Sequence, residues 1–246
     1  MGATLPTRRD EAWRYADLDA VTRVWPVTAP EAIVVAAGQS EARHLIQDAG
    51  GGAVAIHQFA ITLEAGARLD FHVLNIGGTY GRVSLDVTLH DGAHFELGGA
   101  ILGNGEQTLE IVTTVTHAEA NASSNQTVRS VLGGHATGSY LGKVAVARGA
   151  QKTDAAQSVK AMLLDRTATA NAKPELEIFA DDVKCAHGAT VGELDKAAMF
   201  YLASRGLPEP DAKQLLLQAF VSGVFAGAEA EEALTAAALA KLGAMV

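Results

Sequence analysis

The chain has 246 residues, of which 48% are hydrophobic and 19% are charged, a composition that supports a buried core and argues against a disordered chain. Its net charge is −9 and its basic residues are scattered, so neither a nucleic-acid surface nor an electrostatic membrane anchor is expected. No run approaches the roughly 20 apolar residues of a membrane-spanning helix. The single cysteine cannot form an internal disulfide, and we expect a reducing compartment, the cytoplasm.

Residues 1–31 are predicted to form a short helical segment. Thr7 is a candidate N-cap, and Asp10 stands three residues later, where a capping-box acid would lie. Pro26 and Pro30 end the segment. The first ten residues carry arginines and no apolar run, so no secretory signal is predicted there.

Residues 32–190 are predicted to be a β region, because short alternating runs rich in Val, Ile, Leu and Thr dominate it. The clearest runs are residues 60–63, 83–89 and 109–112. Little helical periodicity is found after residues 41–48, which retain some.

A weak internal repeat occurs within this β region. Residues 63–69, Leu-Glu-Ala-Gly-Ala-Arg-Leu, recur 26 residues later as residues 89–95, Leu-His-Asp-Gly-Ala-His-Phe, and residues 146–150 are a looser third copy. Each copy reads as a strand, a polar corner with Gly and Ala, and another strand. A period of roughly 20–30 residues in a β region indicates a solenoid. A β-sandwich or jelly roll with glycines between short strands fits the pattern equally well.

Residues 191–246 change to a helical period and are predicted to form a C-terminal helical domain. Leu194 and Tyr201 share one helical face, Gly206 is a candidate stop, and Pro210 suits the start of a second helix. An Ala-rich helix with acidic residues at its start closes the chain. We expect these helices to cover the open end of a solenoid, since uncovered strand edges pair with other chains.

Two segments carry a family resemblance. Residues 6–15 read PTRRDEAWRY, and residues 180–192 read ADDVKCAHGATVG, followed by FYLASRG at residues 200–206; Gln157 and residues 173–178, KPELEI, belong to the same pattern. These segments resemble the SufB/SufD family of iron–sulfur cluster assembly scaffolds. The Cys-Ala-His run at residues 185–187 is more similar to the SufD branch than to SufB.

The resemblance implies a right-handed parallel β-helix flanked by helical segments. It implies a non-catalytic scaffold subunit that pairs with a SufB-like subunit and docks a SufC-like ATPase. A homodimer is the alternative for the chain on its own. ATP would be bound by the SufC-like partner, and this chain has no Gly-x-x-x-x-Gly-Lys-Ser/Thr loop of its own. No tightly bound cofactor is implied, only a transient iron–sulfur cluster at the SufB interface.

His187 and Cys185 are the candidate metal-binding residues. The resemblance implies that His187 lies at the SufB interface and ligates or helps to build the cluster, and neutral imidazole is a suitable iron ligand. If this segment is extended, the Cys185 side chain lies on the same face and completes a half-site. The alternatives are a corner histidine with local hydrogen bonds and a small buried cysteine.

The candidate contacts for a partner are Tyr201, Leu202, Arg205 and Phe220. Their alternative roles are core packing and, for Arg205, a helix stop. A different class of function, a β-helix polysaccharide lyase or hydrolase, would need carboxylates clustered along one face. Glu64 and Asp91 lie near two predicted corners and no third acid aligns with them. His90 and His94 flank a predicted strand turn and are expected to be solvated.

Overall fold

A computed structural model of the protein describes residues 4–246, and residues 1–3 of the predicted N-terminal segment lie outside the described residues. The described chain contains twelve strands: β1 Glu31–Val35, β2 Ser40–Gln47, β3 Val54–Leu63, β4 Arg68–Asn75, β5 Tyr80–Leu89, β6 His94–Gly103, β7 Thr108–His117, β8 Ser123–Leu132, β9 Thr137–Val146, β10 Asp154–Leu163, β11 Thr169–Ile178 and β12 Lys184–Glu193. Its helices are a 3₁₀ turn at Glu11–Trp13, α1 Leu18–Thr22, α2 Lys196–Ser204, α3 Glu209–Ser222 and α4 Glu231–Gly243.

The strands alternate between two parallel sheets. Sheet A has the order β1-β3-β5-β7-β9-β11, and sheet B has the order β12-β10-β8-β6-β4-β2. Each coil of the chain therefore adds one strand to each sheet. The predicted β-solenoid is confirmed, and the sandwich or jelly roll, whose strands would be antiparallel, is not the fold.

The repeat found in the sequence corresponds to one coil. Leu63 pairs with Leu89 in sheet A, and Leu69 pairs with Phe95 in sheet B, both at the offset of 26 residues. The glycines of these two corners have φ of +67° and +64°, a conformation that a Cβ disfavours. Later coils are longer, as the pairing of Thr137 with Thr169 illustrates.

The main core lies between the two sheets. Its buried side chains are mostly Val, Ile, Leu and Phe from the inward-facing positions of β3 to β8, and Leu63, Leu89 and Phe95 are each 0% exposed. Burial of such side chains contributes roughly 1.5–3 kcal/mol each. No coil could bury its inner face alone, so stacking of coils holds the solenoid together.

The C-terminal helices pack against the side of the solenoid. Leu217 of α3 and Leu234 of α4 join a second apolar cluster with Leu74, Leu102 and Val131, which face outward from β4, β6 and β8. The close approach needs a glycine at position 98, because a Cβ there would lie 2.3 Å from the carbonyl oxygen of Val224. The expectation that the helices cover the solenoid end is wrong: the outward apolar side chains of sheet B attract them to its flank.

The helix boundaries follow local signals that the sequence contains. The Asp195 carboxylate caps α2 by accepting hydrogen bonds from the N–H groups of Ala197 and Ala198. Gly206, with φ of +88°, follows the end of α2, and Pro210 lies in the first turn of α3. Only Leu194 and Asp195 separate β12 from α2. The predicted domain boundary after residue 190 falls inside β12.

The N-terminal segment packs on the outer face of sheet A. The guanidinium of Arg82 donates to the Glu110 carboxylate at 2.9 Å and to the carbonyl oxygen of Ala12 at 2.8 Å, and it lies 3.9 Å from the centre of the Trp13 ring. The Tyr80 hydroxyl also donates to Glu110, at 2.5 Å. This buried cluster ties the segment to the solenoid.

Two local predictions differ from the structure. Asp10 does bond back to the N–H of Thr7 at 2.7 Å, but the contact closes a turn followed by a three-residue 3₁₀ helix, and α1 starts only at Leu18. Residues 41–48, which retained helical periodicity, lie mostly in β2 and pair in register with β4. No helix within residues 4–246 is long and apolar enough to cross a membrane.

His117 makes the stability of the solenoid depend on pH. Its side chain is 0% exposed, its Nε2 lies 3.0 Å from Ser124 Oγ, and burial lowers its pKa from 6.5 to about 4. The unfolded chain therefore takes up this proton at a higher pH than the folded chain. As the pH is lowered from about 6.5 to about 4, we expect the free energy of unfolding to fall by roughly 3 kcal/mol. Below about pH 4, His117 should cause no further decrease.

The measurement is urea unfolding at a series of pH values for the wild type and for His117→Leu. The variant should lack this part of the pH dependence. His135→Gln, at an exposed position, is the control and should keep the wild-type slope. An unchanged slope in His117→Leu would contradict the assignment.

Candidate functional site at the open end of the solenoid

Strand β12 is the terminal strand of sheet B, and β11 ends sheet A at the same end of the solenoid. Nine of the ten residues of β12 are exposed, and the tenth is partly buried. No described helix covers this end. The strand therefore offers an unpaired row of backbone groups, which is the usual template for pairing with another chain.

Cys185 and His187 both lie in β12 and share one face of it, as predicted. Their Cα partners in β10 are Ala155 and Gln157, both of which are buried and face the solenoid interior. The two candidate ligands therefore lie on the inward face, at the mouth of the open end. A shared face is what a half-site would require, and the metal-binding role of the two residues stays a prediction.

The Cys185 thiol is not activated in the free chain. It is partly buried, and this burial, together with the nearby negative charge of Asp154, raises its pKa, although the backbone of Ala155 opposes the shift. A thiol must lose its proton to bind a metal, so Cys185 would need the metal or a partner's positive charge to do so.

The half-site is incomplete within this chain. Residues 4–246 contain no group of three His, Cys, Asp or Glu side chains that could hold a metal ion. Iron in clusters is normally held by four protein ligands per two- or four-iron unit. Cys185 and His187 fit such chemistry by ligand type, but further ligands would have to come from another molecule.

The predicted partner contacts separate into two groups. Tyr201, Leu202 and Arg205 lie in or directly after α2, a helix without a buried residue, and the Arg205 guanidinium lies 5.2 Å from the centre of the Tyr201 ring. Phe220 in α3 is partly buried and packs against the cluster beneath the C-terminal helices. Its position therefore agrees with the packing alternative.

The most exposed aromatic residue was missed as a candidate. Phe200 of α2 is 77% exposed, the highest exposure among the large hydrophobic side chains of the described chain. Its signal was present in the sequence, since it immediately precedes Tyr201 in the family pattern. With Tyr201 it forms an apolar surface that we call the α2 patch.

The histidines expected to be solvated are partly buried and have partners. His90 Nδ1 lies 3.3 Å from the Glu119 carboxylate, and His94 Nδ1 lies 2.8 Å from the Ser123 hydroxyl. They hold the corners of neighbouring coils together. They lie far along the solenoid from β12 and do not contribute to the candidate site.

The two segments that carry the resemblance meet in the fold. Glu11 of the N-terminal segment forms an ion pair with Lys173 in β11, across 162 residues of sequence. Hydrogen bonding to Lys173 is the main cause that lowers the pKa of Glu11. The N-terminal segment thus contacts β11, the last strand of sheet A, next to the open end.

Comparisons with known proteins show which family the chain is similar to. Residues 27–220 match the SufBD core domain of the SUF system for iron–sulfur cluster assembly. A SufBD family protein of Synechocystis sp. is 35% identical over 152 residues, which cover 61% of this chain and 34% of that protein. The iron–sulfur cluster assembly protein SufD of Escherichia coli is 35% identical over 171 residues, with 61% and 40% covered.

SufD of Bacillus subtilis is 31% identical over 134 residues, which cover 54% of this chain and 31% of that protein. The chain thus spans about a third to two-fifths of the length of these curated relatives. The matched domain covers well over half of the chain itself, from residue 27 to residue 220. The resemblance inferred from the sequence is confirmed, and the protein belongs to the SufBD family of iron–sulfur cluster assembly proteins.

Proposed function

We propose that the chain is a SufD-like scaffold subunit on which an iron–sulfur cluster is assembled, without turnover of a substrate by this chain alone. In this proposal β12 pairs with a SufB-like subunit, and the α2 patch contributes to docking of a SufC-like ATPase. The observation that carries the proposal is the exposed edge strand β12, which bears Cys185 and His187 at the open end of the solenoid.

The chemistry of the two terminal strands favours pairing through sheet B. Pro174 lies in the middle of β11 and lacks the N–H that a ladder uses, whereas β12 contains no proline. The N–H of Lys184 bonds back to Thr153 at 2.8 Å. Since N–H groups alternate between the two sides of a strand, those of Cys185, His187 and Ala189 point to the unpaired edge.

The cluster, in this proposal, is cargo shared between two subunits. Cys185 and His187 supply a thiolate and an imidazole, which are ligands that iron accepts. A partner strand alongside β12 would bring its own ligands to within a few ångströms, because paired strands lie about 4.8 Å apart. The cluster would then be complete only in the complex.

The α2 patch is suited to a protein partner. Phe200 and Tyr201 are 77% and 57% exposed, and aromatic side chains with a nearby arginine are enriched in interface cores. An ATPase would be the source of ATP hydrolysis, since the sequence of this chain has no phosphate-binding loop. No observation favours the alternative of a polysaccharide lyase or hydrolase.

The test of the pairing is Ala189→Pro, which removes one outward N–H of β12 and leaves the bonds to β10 intact. We expect its affinity for a purified SufB-like partner to fall about tenfold or more, because a lost backbone bond leaves a buried carbonyl unpaired at a cost of about 1–3 kcal/mol. Binding is measured by calorimetry, and thermal unfolding checks that both proteins are folded.

Ala189→Ser is the matched control, since it keeps the N–H and a small side chain, and its affinity should equal that of the wild type. If Ala189→Pro binds the SufB-like partner as tightly as the control does, pairing through β12 is wrong. If the wild-type chain binds neither a SufB-like nor a SufC-like subunit, the scaffold proposal itself fails.

A further inference from the structure

A polar network crosses the mostly apolar interior of the solenoid near its open end. The hydroxyl groups of Thr113 and Tyr140 donate to Gln126 Oε1 at 2.7 and 2.9 Å, and Gln157 Nε2 donates to the Tyr140 hydroxyl at 3.2 Å. All four side chains are buried. A Cβ at position 142 would lie 2.2 Å from the Tyr140 hydroxyl, so Gly142 makes room for the network.

Two atoms of this network have no hydrogen-bond partner within residues 4–246. They are Nε2 of Gln126, a donor, and Oε1 of Gln157, an acceptor. Gln157 as a whole is only 3% exposed, so solvent does not compensate for the missing bond. Buried polar atoms without partners are rare in native proteins, and each one calls for an explanation.

The pairing of strands in sheet B places Gln157 next to His187. Gln126, Gln157 and His187 are successive Cα partners in β8, β10 and β12. Paired residues of parallel strands project to the same face and lie about 4.8 Å apart. Gln157 is therefore the last buried polar residue beneath His187, and Cys185 lies over Ala155, which has no polar side-chain atom.

We propose that Gln157 is a positioning residue for His187: its Oε1 accepts a hydrogen bond from one ring N–H of His187 and leaves the other ring nitrogen free to bind iron or a cluster. Only rotation of the exposed His187 side chain is required, since the two backbones are already in register. A hydrogen bond to one ring nitrogen fixes which nitrogen carries the proton, and this arrangement is general among metal-binding histidines. The inference rests on the proposed role of His187 at the cluster.

The network beneath Gln157 holds the amide in place for this task. Burial raises the pKa of Tyr140 to about 12, so its hydroxyl keeps its proton and donates to Gln126. The Tyr140 oxygen in turn accepts from Gln157 Nε2, which turns Oε1 of the same amide away from that contact. While Tyr140 donates to Gln126, Gln157 presents its acceptor on the side away from Tyr140.

The experiment is NMR spectroscopy of the full chain with ¹⁵N-labelled histidine rings, at about pH 8, where an imidazole is neutral. Two-bond ¹H–¹⁵N correlations identify the protonated nitrogen of each ring, and the His187 signals are assigned from His187→Asn. We expect a single tautomer for His187 in the wild type. Gln157→Met should return it to a mixture of tautomers, such as we expect for the exposed His135.

Gln47→Met is the matched control, because it removes a buried glutamine from β2, which lies at the other end of sheet B and outside this network. Its His187 signals should equal those of the wild type. Unchanged His187 signals in Gln157→Met, or equal changes in both variants, overturn the proposal. Gln157→Asn, which keeps an amide but shortens its reach, gives the same test if Gln157→Met does not fold.

The measurement needs no partner, so it separates the two proposals. A chain that shows the effect of Gln157 and yet binds no SufB-like subunit contradicts the proposed function and leaves this inference standing. A chain that binds its partners but shows no effect of Gln157 on His187 contradicts this inference and leaves the proposed function standing.

Discussion

Arg82→Met is expected to lower the free energy of unfolding by about 3–5 kcal/mol, because it leaves the Glu110 carboxylate buried without its cation. The side chains of Arg82 and Glu110 are 2% and 0% exposed. The substitution also removes the bond to the Ala12 carbonyl and the contact with the Trp13 ring. The N-terminal segment should therefore detach from sheet A before the solenoid unfolds.

Urea unfolding followed by circular dichroism measures the loss of stability, and tryptophan fluorescence reports exposure of Trp13. The double variant Arg82→Met/Glu110→Gln should recover much of the loss, since a neutral amide can still accept from Tyr80. Arg43→Met is the control: its ion pair with Glu41 is exposed, and such pairs contribute about 0–1 kcal/mol. Equal losses in Arg82→Met and Arg43→Met would contradict the role of the buried cluster.

His187→Ala is expected to abolish delivery of iron–sulfur clusters in cells that depend on this pathway, while the complex still assembles. The reason is that the substitution removes a proposed ligand but keeps the backbone N–H that β12 offers to a partner. His187 is exposed in the free chain, so its loss should not change the stability of the solenoid. The readouts are the activity of a cluster-dependent enzyme and co-purification of the SufB-like and SufC-like subunits.

Lys184→Ala is the control for this experiment. Lys184 is exposed in the same strand, three residues from His187, and therefore on the opposite face. It should leave cluster delivery and assembly unchanged. Normal activity of the cluster-dependent enzyme in His187→Ala would contradict a role of His187 in cluster binding. Loss of the partner subunits from the purified complex would show that His187 acts in subunit assembly instead.

The solenoid could be predicted in part from sequence because two coils use the same corner. Leu63 and Leu89 begin corners with glycine at the same position, which made the offset of 26 residues visible. The next corner was missed because Asn121, with φ of +60°, replaces the glycine and the coil is longer. Residues of β2 suggested a helix because local preferences were read without the pairing partner in β4.

The position of the C-terminal helices was missed although a signal existed. Leu74, Leu102 and Val131 follow or precede inward-facing apolar residues directly, so these strands are apolar on both faces. A strand of that kind needs cover on its outer side, and α3 and α4 provide it. The helices themselves were predictable from Gly206 and Pro210, because caps and stops are local features.

For the site, the sequence predicted that Cys185 and His187 share a face, since that needs only an extended strand. It could not predict that Gln157 lies beneath His187. The two are 30 residues apart, and their pairing depends on the length of the intervening coil and on β11, which passes through the other sheet.

The short connection between β12 and α2 has a mechanical consequence. With only Leu194 and Asp195 between them, and with Asp195 fixed as the cap of α2, the joint has little slack to absorb a rotation. A protein that binds α2 and moves it would therefore also move β12, the strand that carries Cys185 and His187. The SufC-like ATPase proposed above would in this way also move the strand edge that is proposed to pair with a SufB-like subunit.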